Sequence, residues 1–404
     1  MTPARTLSLT RLGWGLALPV AFLALIGLAA IHATDRFDDS SLVIAPEEIN
    51  WTYQLQREIG ADTLSHATRL LTGVGLMLLV LAPGYRRIGV LAVPIYWVII
   101  ALLAILVVDA YIDLPFVRVI RKIRGWLDLG IVRVQPAEFA KLSLVLVLAH
   151  YLRFRDSYRR WSGLVPPFLL TLLPMALIAK QPDLGTLVML LPVLFAMLFV
   201  AGARGRHLAT IVVIGLALLP LFYMYGMKEY QRDRVRALFR QNSDDERWQR
   251  SEGYQLRQGL TALGSGGVWG EGWRQGVFVR YALLPEEKND FIFAIVGNQW
   301  GLLGCALVIL AYVIIVVCGL EVALVTRDPF GRLLAVGIVV MIAAQAMLNI
   351  CTNIGLAPIT GITLPFVSFG GSSLWVNFLG LGLILSIAQR RPLWLSRRPF
   401  EHAD

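Results

Sequence analysis

The chain has 404 residues, of which 57% are hydrophobic and only 16% are charged, and its mean hydropathy is +0.65. This balance lies well outside the range of soluble globular domains and indicates a membrane protein. The formal net charge of +10 falls largely in loops between apolar segments. We therefore expect the membrane, and no nucleic acid, to be the partner of the basic residues.

Apolar segments long enough to cross roughly 30 Å of hydrocarbon recur along the whole chain. We predict an all-α integral membrane protein with about ten transmembrane helices. No repeat period and no separate soluble segment stands out, so we interpret residues 1–404 as a single polytopic membrane domain. The predicted spans are 14–32, 66–83, 88–109, 137–152, 164–180, 185–201, 208–226, 291–320, 332–351 and 372–389.

Lys and Arg in short loops predict that both termini lie in the cytoplasm. The first apolar run is interpreted as a retained helix rather than a cleaved signal peptide. The three cysteines, Cys305, Cys318 and Cys351, lie in apolar segments and are expected to be small core residues. The basic residues predicted on the inner side are Arg5, Arg11, Arg86, Arg87, Arg153 to Arg160, Arg204, Arg206, Arg327, Arg332 and Arg390 to Arg398.

Three loops on the predicted outer side, 33–65, 110–136 and 227–290, are longer than simple connections require. Two of them are basic, which has two interpretations. The residues could contact phospholipid headgroups, or they could bind an anionic substrate such as a lipid diphosphate, since guanidinium groups bind phosphate bidentately. The basic residues are Arg118, Arg121, Lys122, Arg124, Arg133, Lys228, Arg232, Arg234, Arg236 and Arg240.

Polar residues at the edges of the spans are further candidates for a functional site, because each needs a polar partner or a water-filled cavity inside the membrane. Glu138 and Lys141, three residues apart after Pro136, either form an intrahelical ion pair or line a cavity. Gln181 and Asp183 lie in a turn between two spans. Asp183 is either a helix cap or a cavity residue.

The segment from Pro358 to Ser373 contains two prolines and three glycines, which forbid a regular helix. Irregular backbone near membrane depth is tolerated where protein buries it or water reaches it. The segment is therefore predicted to line a cavity, with Ser368 and Ser372 as candidate substrate contacts; an outer loop is the alternative.

Asp290 follows a polar loop and directly precedes the apolar run that starts at Phe291. A carboxylate at such a border is partly desolvated, which can raise its pKa toward that of a general base. Its alternative role is that of a helix N-cap. The glycine-rich stretch Gly264 to Trp273 permits close backbone approach but lacks the features of a phosphate-binding loop.

Six blocks of the sequence, in this order and spacing, resemble the signature blocks of the shape, elongation, division and sporulation (SEDS) family. Residues 358–362 are more similar to the RodA form of the family than to the FtsW form. The resemblance implies ten transmembrane helices with a large extracytoplasmic loop, about 227–290, between helices 7 and 8. The blocks are 126–141, 181–186, 230–235, 264–273, 284–294 and 358–373.

The resemblance also implies a peptidoglycan glycosyltransferase that polymerises lipid II at the outer face of the bacterial cytoplasmic membrane, for cell elongation and shape. In that reaction the acceptor 4-hydroxyl attacks C1 of the donor sugar, and undecaprenyl diphosphate leaves. The motif match assigns Asp290 as the general base, or as the residue that positions the acceptor. By the same match, the cavity and substrate residues are Glu138, Lys141, Gln181, Asp183, Tyr230, Arg232 and Arg234.

A class B penicillin-binding transpeptidase is the implied protein partner, and a divalent cation, Mg²⁺ or Mn²⁺, is a possible cofactor. Two departures affect the cation: the family's His-Thr pair before the aspartate reads Lys288-Asn289, and its Glu-Glu pair reads Asn298-Gln299. The alternatives are an FtsW-like division polymerase, a lipid-II flippase and a noncatalytic scaffold of the same fold.

Overall fold

The structure is a computed structural model of the chain. The structure describes most of the apolar helices, but neither end of the chain nor several loop residues. The described residues are 4–35, 59–112, 115, 117–120, 123–128, 130, 132–154, 157–181, 183–239, 252–281, 283, 284 and 286–389.

Helices account for nearly all of the regular structure. The first seven are α1 (Ala4–Thr34), α2 (Ala61–Leu81), α3 (Tyr85–Val90), α4 (Ala92–Ile112), α5 (Pro136–Leu152), α6 (Trp161–Lys180) and α7 (Leu184–Ala201). The others are α8 (Gly205–Leu221, continued by the π-helical turn Phe222–Gly226), α9 (Glu229–Phe239), α10 (Glu252–Ser265), α11 (Val277–Arg280), α12 (Ile292–Val325), α13 (Pro329–Asn353) and α14 (Gly371–Gln389).

Within the described residues, nine of these helices are long and apolar enough to cross a membrane. The tenth predicted span, 137–152, is the 17-residue helix α5. Most of its residues are buried, because α5 packs against α4, α7, α13 and α14. The predicted count of about ten transmembrane helices is therefore confirmed.

The predicted outer loop 110–136 contains a small antiparallel sheet, which the sequence analysis did not predict. The strands are β1 (Val117–Ile120), β2 (Ile123–Asp128) and β3 (Arg133–Val134), in the order β1-β2-β3. Their β-branched residues favour extended backbone. In the register, Leu127 pairs with Val117 on one side and Val134 on the other.

The glycine-rich stretch between α10 and α11 packs against a break in α12. Gly301 has φ 64° and ψ −160°, so α12 consists of two helices that meet there. Backbone bonds from Glu271 N to Asn298 O (2.8 Å) and from Leu302 N to Gly267 O (2.9 Å) fill the break. A Cβ on Gly301 would lie 2.4 Å from Val268 O, so only glycine fits.

The segment between α13 and α14 is irregular, as predicted, and most of its residues are buried. Gly27 of α1 lies against its backbone, where an added Cβ would be 2.5 Å from Val367 O. Protein therefore covers most of this irregular backbone, which is the condition under which such backbone is tolerated at membrane depth.

Candidate functional site

Asp290 lies in the turn that immediately precedes α12. Its backbone carbonyl accepts hydrogen bonds from Asn349 Nδ2 (2.8 Å) and Asn353 Nδ2 (2.9 Å) of α13. Asn353 Oδ1 in turn accepts from Ala294 N at 3.1 Å, in the first turn of α12. Two buried amides of one helix therefore fix the backbone of the turn. Phe291, and not Asp290, occupies the N-cap position, so the N-cap alternative for Asp290 is wrong.

The irregular segment runs along the other side of this turn. Phe369 N donates to Lys288 O (3.0 Å), and Ser368 Oγ donates to Asn289 O (2.6 Å). Gly361, with φ 74°, faces the Asp290 carboxyl: an added Cβ would lie 3.7 Å from Asp290 Oδ2. Asp290 is half-buried, and a carboxylate in such an environment can accept a proton from a hydroxyl group.

Glu138 and Lys141 form the intrahelical ion pair that was one of their two interpretations, with 2.8 Å between Lys141 Nζ and Glu138 Oε2. Lys141 is buried and also donates to Gln345 Oε1 of α13 at 2.9 Å. Gln345 Nε2 donates to Thr363 O (3.0 Å) and Ser373 Oγ (2.9 Å). The pair therefore anchors the irregular segment to α5 and α13.

Asp183 is the N-cap of α7, accepting from Thr186 N (3.0 Å) and Thr186 Oγ1 (2.8 Å). It also accepts from Gln135 Nε2 at 3.1 Å, while Gln135 N donates to Ser372 Oγ at 2.9 Å. The capping interpretation is confirmed, and the same carboxyl joins α7 to the start of α5. Burial raises the pKa of Asp183, against the opposing effect of the two bonds from Thr186.

Gln181 ends α6 and is buried, and its Nε2 donates to Leu103 O at 3.2 Å. Its Oε1 is buried and has no hydrogen-bond partner among the described residues. An unpaired buried amide oxygen costs free energy, so this atom can accept a hydrogen bond from a ligand or water. Gln181 thus differs from Asp183, whose acceptors are all paired within the protein.

Arg232 and Arg234 lie on α9, which packs against the irregular segment. Arg234 Nη1 donates to Ile359 O at 3.4 Å, and a cavity of about 30 Å³ separates α9 from Pro358 and Thr360. Arg232 Nε is buried without a hydrogen-bond partner in the described part of the chain. Ile359 is two residues from Gly361, so α9 and Asp290 contact one continuous stretch of backbone.

Several sequence candidates fall outside the described residues. The side chain of Tyr230 is one of them, although its backbone belongs to α9. Arg133 is described and lies 3.8 Å from Asp128, measured from Nε to Oδ2. The other candidates whose side chains are not described are Arg5, Arg11, Arg118, Arg121, Lys122, Arg124, Arg155, Arg240 and Arg390 to Arg398.

Among the described side chains, no three His, Cys, Asp or Glu residues come together into a group that could hold a metal ion. Asn298 and Gln299 are buried neutral amides that bond to neighbours. Asn298 Nδ2 donates to Ser265 Oγ (2.8 Å), and Gln299 Oε1 accepts from Arg274 N (2.6 Å). They stabilise the packing of the glycine-rich stretch instead of contributing negative charge.

Two residues of the site were missed by the sequence analysis. Gln345 and Asn353 belong with Asn349 to one face of α13, at intervals of four residues. The signal was present, because polar residues at helical spacing in an apolar helix predict a polar contact inside the membrane. What the spacing does not reveal is that Gln345 meets Lys141 and that Asn353 meets the Asp290 turn.

Known proteins resemble the chain over most of its length. A family model for cell-cycle proteins, covering FtsW, RodA and SpoVE, matches residues 40–392. Peptidoglycan glycosyltransferase MrdB of Escherichia coli strain K12 is 34% identical over 306 residues, 74% of this chain and 78% of that protein. Probable peptidoglycan glycosyltransferase FtsW of Bacillus subtilis strain 168 is 35% identical over 271 residues, 66% of this chain and 67% of that protein.

Solved structures agree with the fold. One comes from work on the structural coordination of polymerization and crosslinking by a peptidoglycan synthase complex: it is 28% identical, with a TM-score of 0.73, over 93% of this chain and 97% of that chain. The rod shape determining protein RodA of Thermus thermophilus is 27% identical, with a TM-score of 0.64, over 94% of this chain and 97% of that chain. Both similarities extend over almost the entire length of each chain.

Proposed function

The chain belongs to the FtsW, RodA and SpoVE family of cell-cycle proteins, and we propose that it is a peptidoglycan glycosyltransferase that polymerises lipid II for cell elongation and shape. One observation carries the proposal for the site: the Asp290 turn is fixed by Asn349 and Asn353 on one side and by the irregular segment on the other. A carboxylate carried on a backbone held in this way has a defined position from which to accept a proton.

In the proposed reaction, the 4-hydroxyl oxygen of the acceptor sugar forms a bond to C1 of the donor. The C1–oxygen bond to the diphosphate breaks, and undecaprenyl diphosphate leaves with the bonding electron pair. Asp290 takes the hydroxyl proton as the new bond forms. Arg232 and Arg234 contact the diphosphate, because cationic groups that face developing negative charge lower the barrier to its departure.

The remaining polar residues hold the walls of the substrate cavity. Glu138 and Lys141 fix the irregular segment through Gln345. Asp183 and Ser372 join α7, α5 and α14 through Gln135. Ser368 fixes the Asp290 turn, while Gln181 offers its unpaired oxygen to substrate. Tyr230 completes the set on α9, where its role is to orient the arginines.

We assign the protein to the bacterial cytoplasmic membrane, with both termini in the cytoplasm. Three basic loops, those that follow α2, α5 and α12, meet at one end of the bundle, which supports this orientation. Arg86 Nε lies 3.9 Å from Asp328 Oδ2, and the Arg153 guanidinium lies 5.8 Å from the centre of the Phe330 ring. The helix α13 begins at this end and ends at Asn353 beside Asp290. Asp290 then faces the outside.

This orientation also places the large loop, about 227–290, outside the cell within a single membrane domain over residues 1–404. The protein partner is a class B penicillin-binding transpeptidase, which would cross-link the new glycan strands. One of the structurally similar chains is part of a complex that joins polymerization and crosslinking, which supports this assignment.

We propose that a divalent cation, Mg²⁺ or Mn²⁺, can take part, and the polymerisation assay tests its effect. Mg²⁺ is commonly bound by one or two carboxylates together with substrate phosphates, so the protein need not supply a complete set of ligands. Asp290 and the substrate diphosphate would be the groups to supply such ligands. No step of the proposed reaction depends on the ion.

The test is polymerisation of labelled lipid II by the purified protein with its transpeptidase, with and without added Mg²⁺ or Mn²⁺. Asp290→Asn should reduce the rate by at least about 100-fold, since a positioned base contributes roughly 10²–10⁴-fold. Asp233→Asn is the matched control. Asp233 is an exposed carboxylate that pairs with Arg236, and its loss should leave the rate unchanged.

The outcomes separate the alternatives. Polymer from the wild type that disappears in a folded Asp290→Asn protein supports the proposed function. Equal polymer from both proteins refutes the role of Asp290. If the folded wild type makes no polymer, the flippase and the noncatalytic scaffold become the better explanations; movement of lipid II across vesicles distinguishes between them.

A further inference from the structure

Lys288, two residues before Asp290, makes an ion pair with two carboxylates from different helices. Its Nζ lies 2.5 Å from Asp62 Oδ2, in the first turn of α2, and 3.4 Å from Asp35 Oδ1, at the end of α1. The Asp35 side chain is only 4% exposed, whereas that of Asp62 is 45% exposed. A single ammonium therefore joins α1, α2 and the Asp290 turn.

The carboxylate of Asp35 also holds the start of α2, because its Oδ2 accepts from Thr63 N at 2.8 Å and from Thr63 Oγ1. Arg274 Nη2 donates to His32 O (2.9 Å) and Asp35 O (3.4 Å), which fixes the end of α1 to the glycine-rich stretch. Asp35 is thus rigidly placed and buried. A buried carboxylate without a cationic partner is costly, so Lys288 is the group that compensates its charge.

The Asp290 turn is consequently held by two separate sets of contacts. The amides of α13 fix the Asp290 carbonyl, and the ion pair fixes Lys288 to α1 and α2. We propose that Lys288 is a positioning residue for Asp290, and that its pair with Asp62 couples the position of α2 to the orientation of the Asp290 carboxylate. This inference rests on the proposed function of Asp290 as the base.

A neutral side chain at position 288 would leave Asp35 uncompensated and release the turn from α2. Small displacements of a reacting group, of about 1 Å, can cost about 100-fold in rate. The effect should fall on kcat, because Lys288 acts on the base rather than on substrate affinity. The arginine variant should retain the function, since its guanidinium also pairs with carboxylates.

The experiment compares Lys288→Met, Lys288→Arg, Asp62→Asn and the double variant Lys288→Met/Asp62→Asn in lipid II polymerisation. Lys288→Met should lower kcat at least about tenfold, with KM within about twofold. Lys288→Arg should stay within about threefold of wild type. Asp62→Asn keeps the buried Asp35 partner and should therefore fold, with a smaller loss of kcat. The double variant should be no worse than Lys288→Met, since the residues act as a pair.

Thermal unfolding of each variant and lipid II binding provide the folding controls. Unchanged kcat in folded Lys288→Met or Asp62→Asn, a rise in KM instead of a fall in kcat, or additive losses in the double variant would overturn the inference and leave the proposed function intact. If Lys288→Met does not fold, Lys288→Arg and Asp62→Asn decide the question by the same criteria. A folded wild type without polymer overturns both proposals.

Discussion

Replacement of Gln345 by methionine removes the centre of a buried hydrogen-bond network while nearly preserving the length of the side chain. Gln345 is buried in α13, accepts from Lys141 and donates to Thr363 and Ser373. Methionine fills a similar space but cannot replace these bonds. The variant therefore isolates the polar contribution from the packing contribution.

The expected loss of stability follows from the three hydrogen-bond partners of Gln345. Hydrogen bonds between helices in a membrane contribute about 0.6 kcal/mol each on average, which gives about 2 kcal/mol for three. One partner is the ammonium of Lys141, and bonds to charged groups contribute about 1.5–3 kcal/mol. We expect Gln345→Met to lower the free energy of unfolding by about 2–4 kcal/mol.

The assay is unfolding in detergent micelles, with Met347→Ala as the control on the same helix. The Met347 side chain is 67% exposed on the lipid-facing side, so its loss should change little. The double variant Lys141→Met/Gln345→Met should lose less than the sum of the single losses, because removing Lys141 removes the buried charge. A loss below about 0.5 kcal/mol, or full additivity, would refute the network as a source of stability.

Two further predictions concern local structure. Because burial raises the pKa of Asp183, its contribution to stability is fully present below the ordinary aspartate pKa and is lost as the pH rises through the raised value. The unfolding temperature of wild type should therefore fall relative to that of Asp183→Asn as the pH rises from the ordinary aspartate pKa through the raised one. A difference in unfolding temperature that does not change with pH would contradict the raised pKa of Asp183. Gly301→Ala should prevent correct folding, since φ is 64° and the new Cβ would lie 2.4 Å from Gly270 N. Gly215→Ala, where nothing lies within 4 Å, should fold normally; equal yields of monodisperse protein would refute the prediction.

Apolar length alone predicts most of the membrane helices. The expected spans 185–201 and 372–389 correspond to Leu184–Ala201 and Gly371–Gln389. The ends of a helix depend on residues close by in the sequence. Asp183 caps the start of α7, and Gly202, with φ 103°, ends it. Local chemistry of this kind is visible in a sequence because the interacting groups lie within a few residues of each other.

Contacts between distant residues were not predictable in the same way. The segment 291–320 was predicted as a single span, and the structure shows that its helix is broken at Gly301, where the backbone of the glycine-rich stretch packs. An ion pair with Glu138 was one of two interpretations of Lys141, but its bond to Gln345 spans 204 residues of chain. The residue types indicated polar contacts inside the membrane, and only the packing of the helices determines which groups meet.

The break in α12 also has a consequence for biosynthesis. A continuous helix of 34 residues would be about 51 Å long, whereas the hydrocarbon core is about 30 Å thick. Hydrophobicity alone would let such a segment stop at several depths during insertion. Gly301 divides it, and the part from 302 to 325, about 36 Å long, suffices to cross. The break therefore leaves one helix of membrane-crossing length, preceded by a short helix that starts directly after the Asp290 turn.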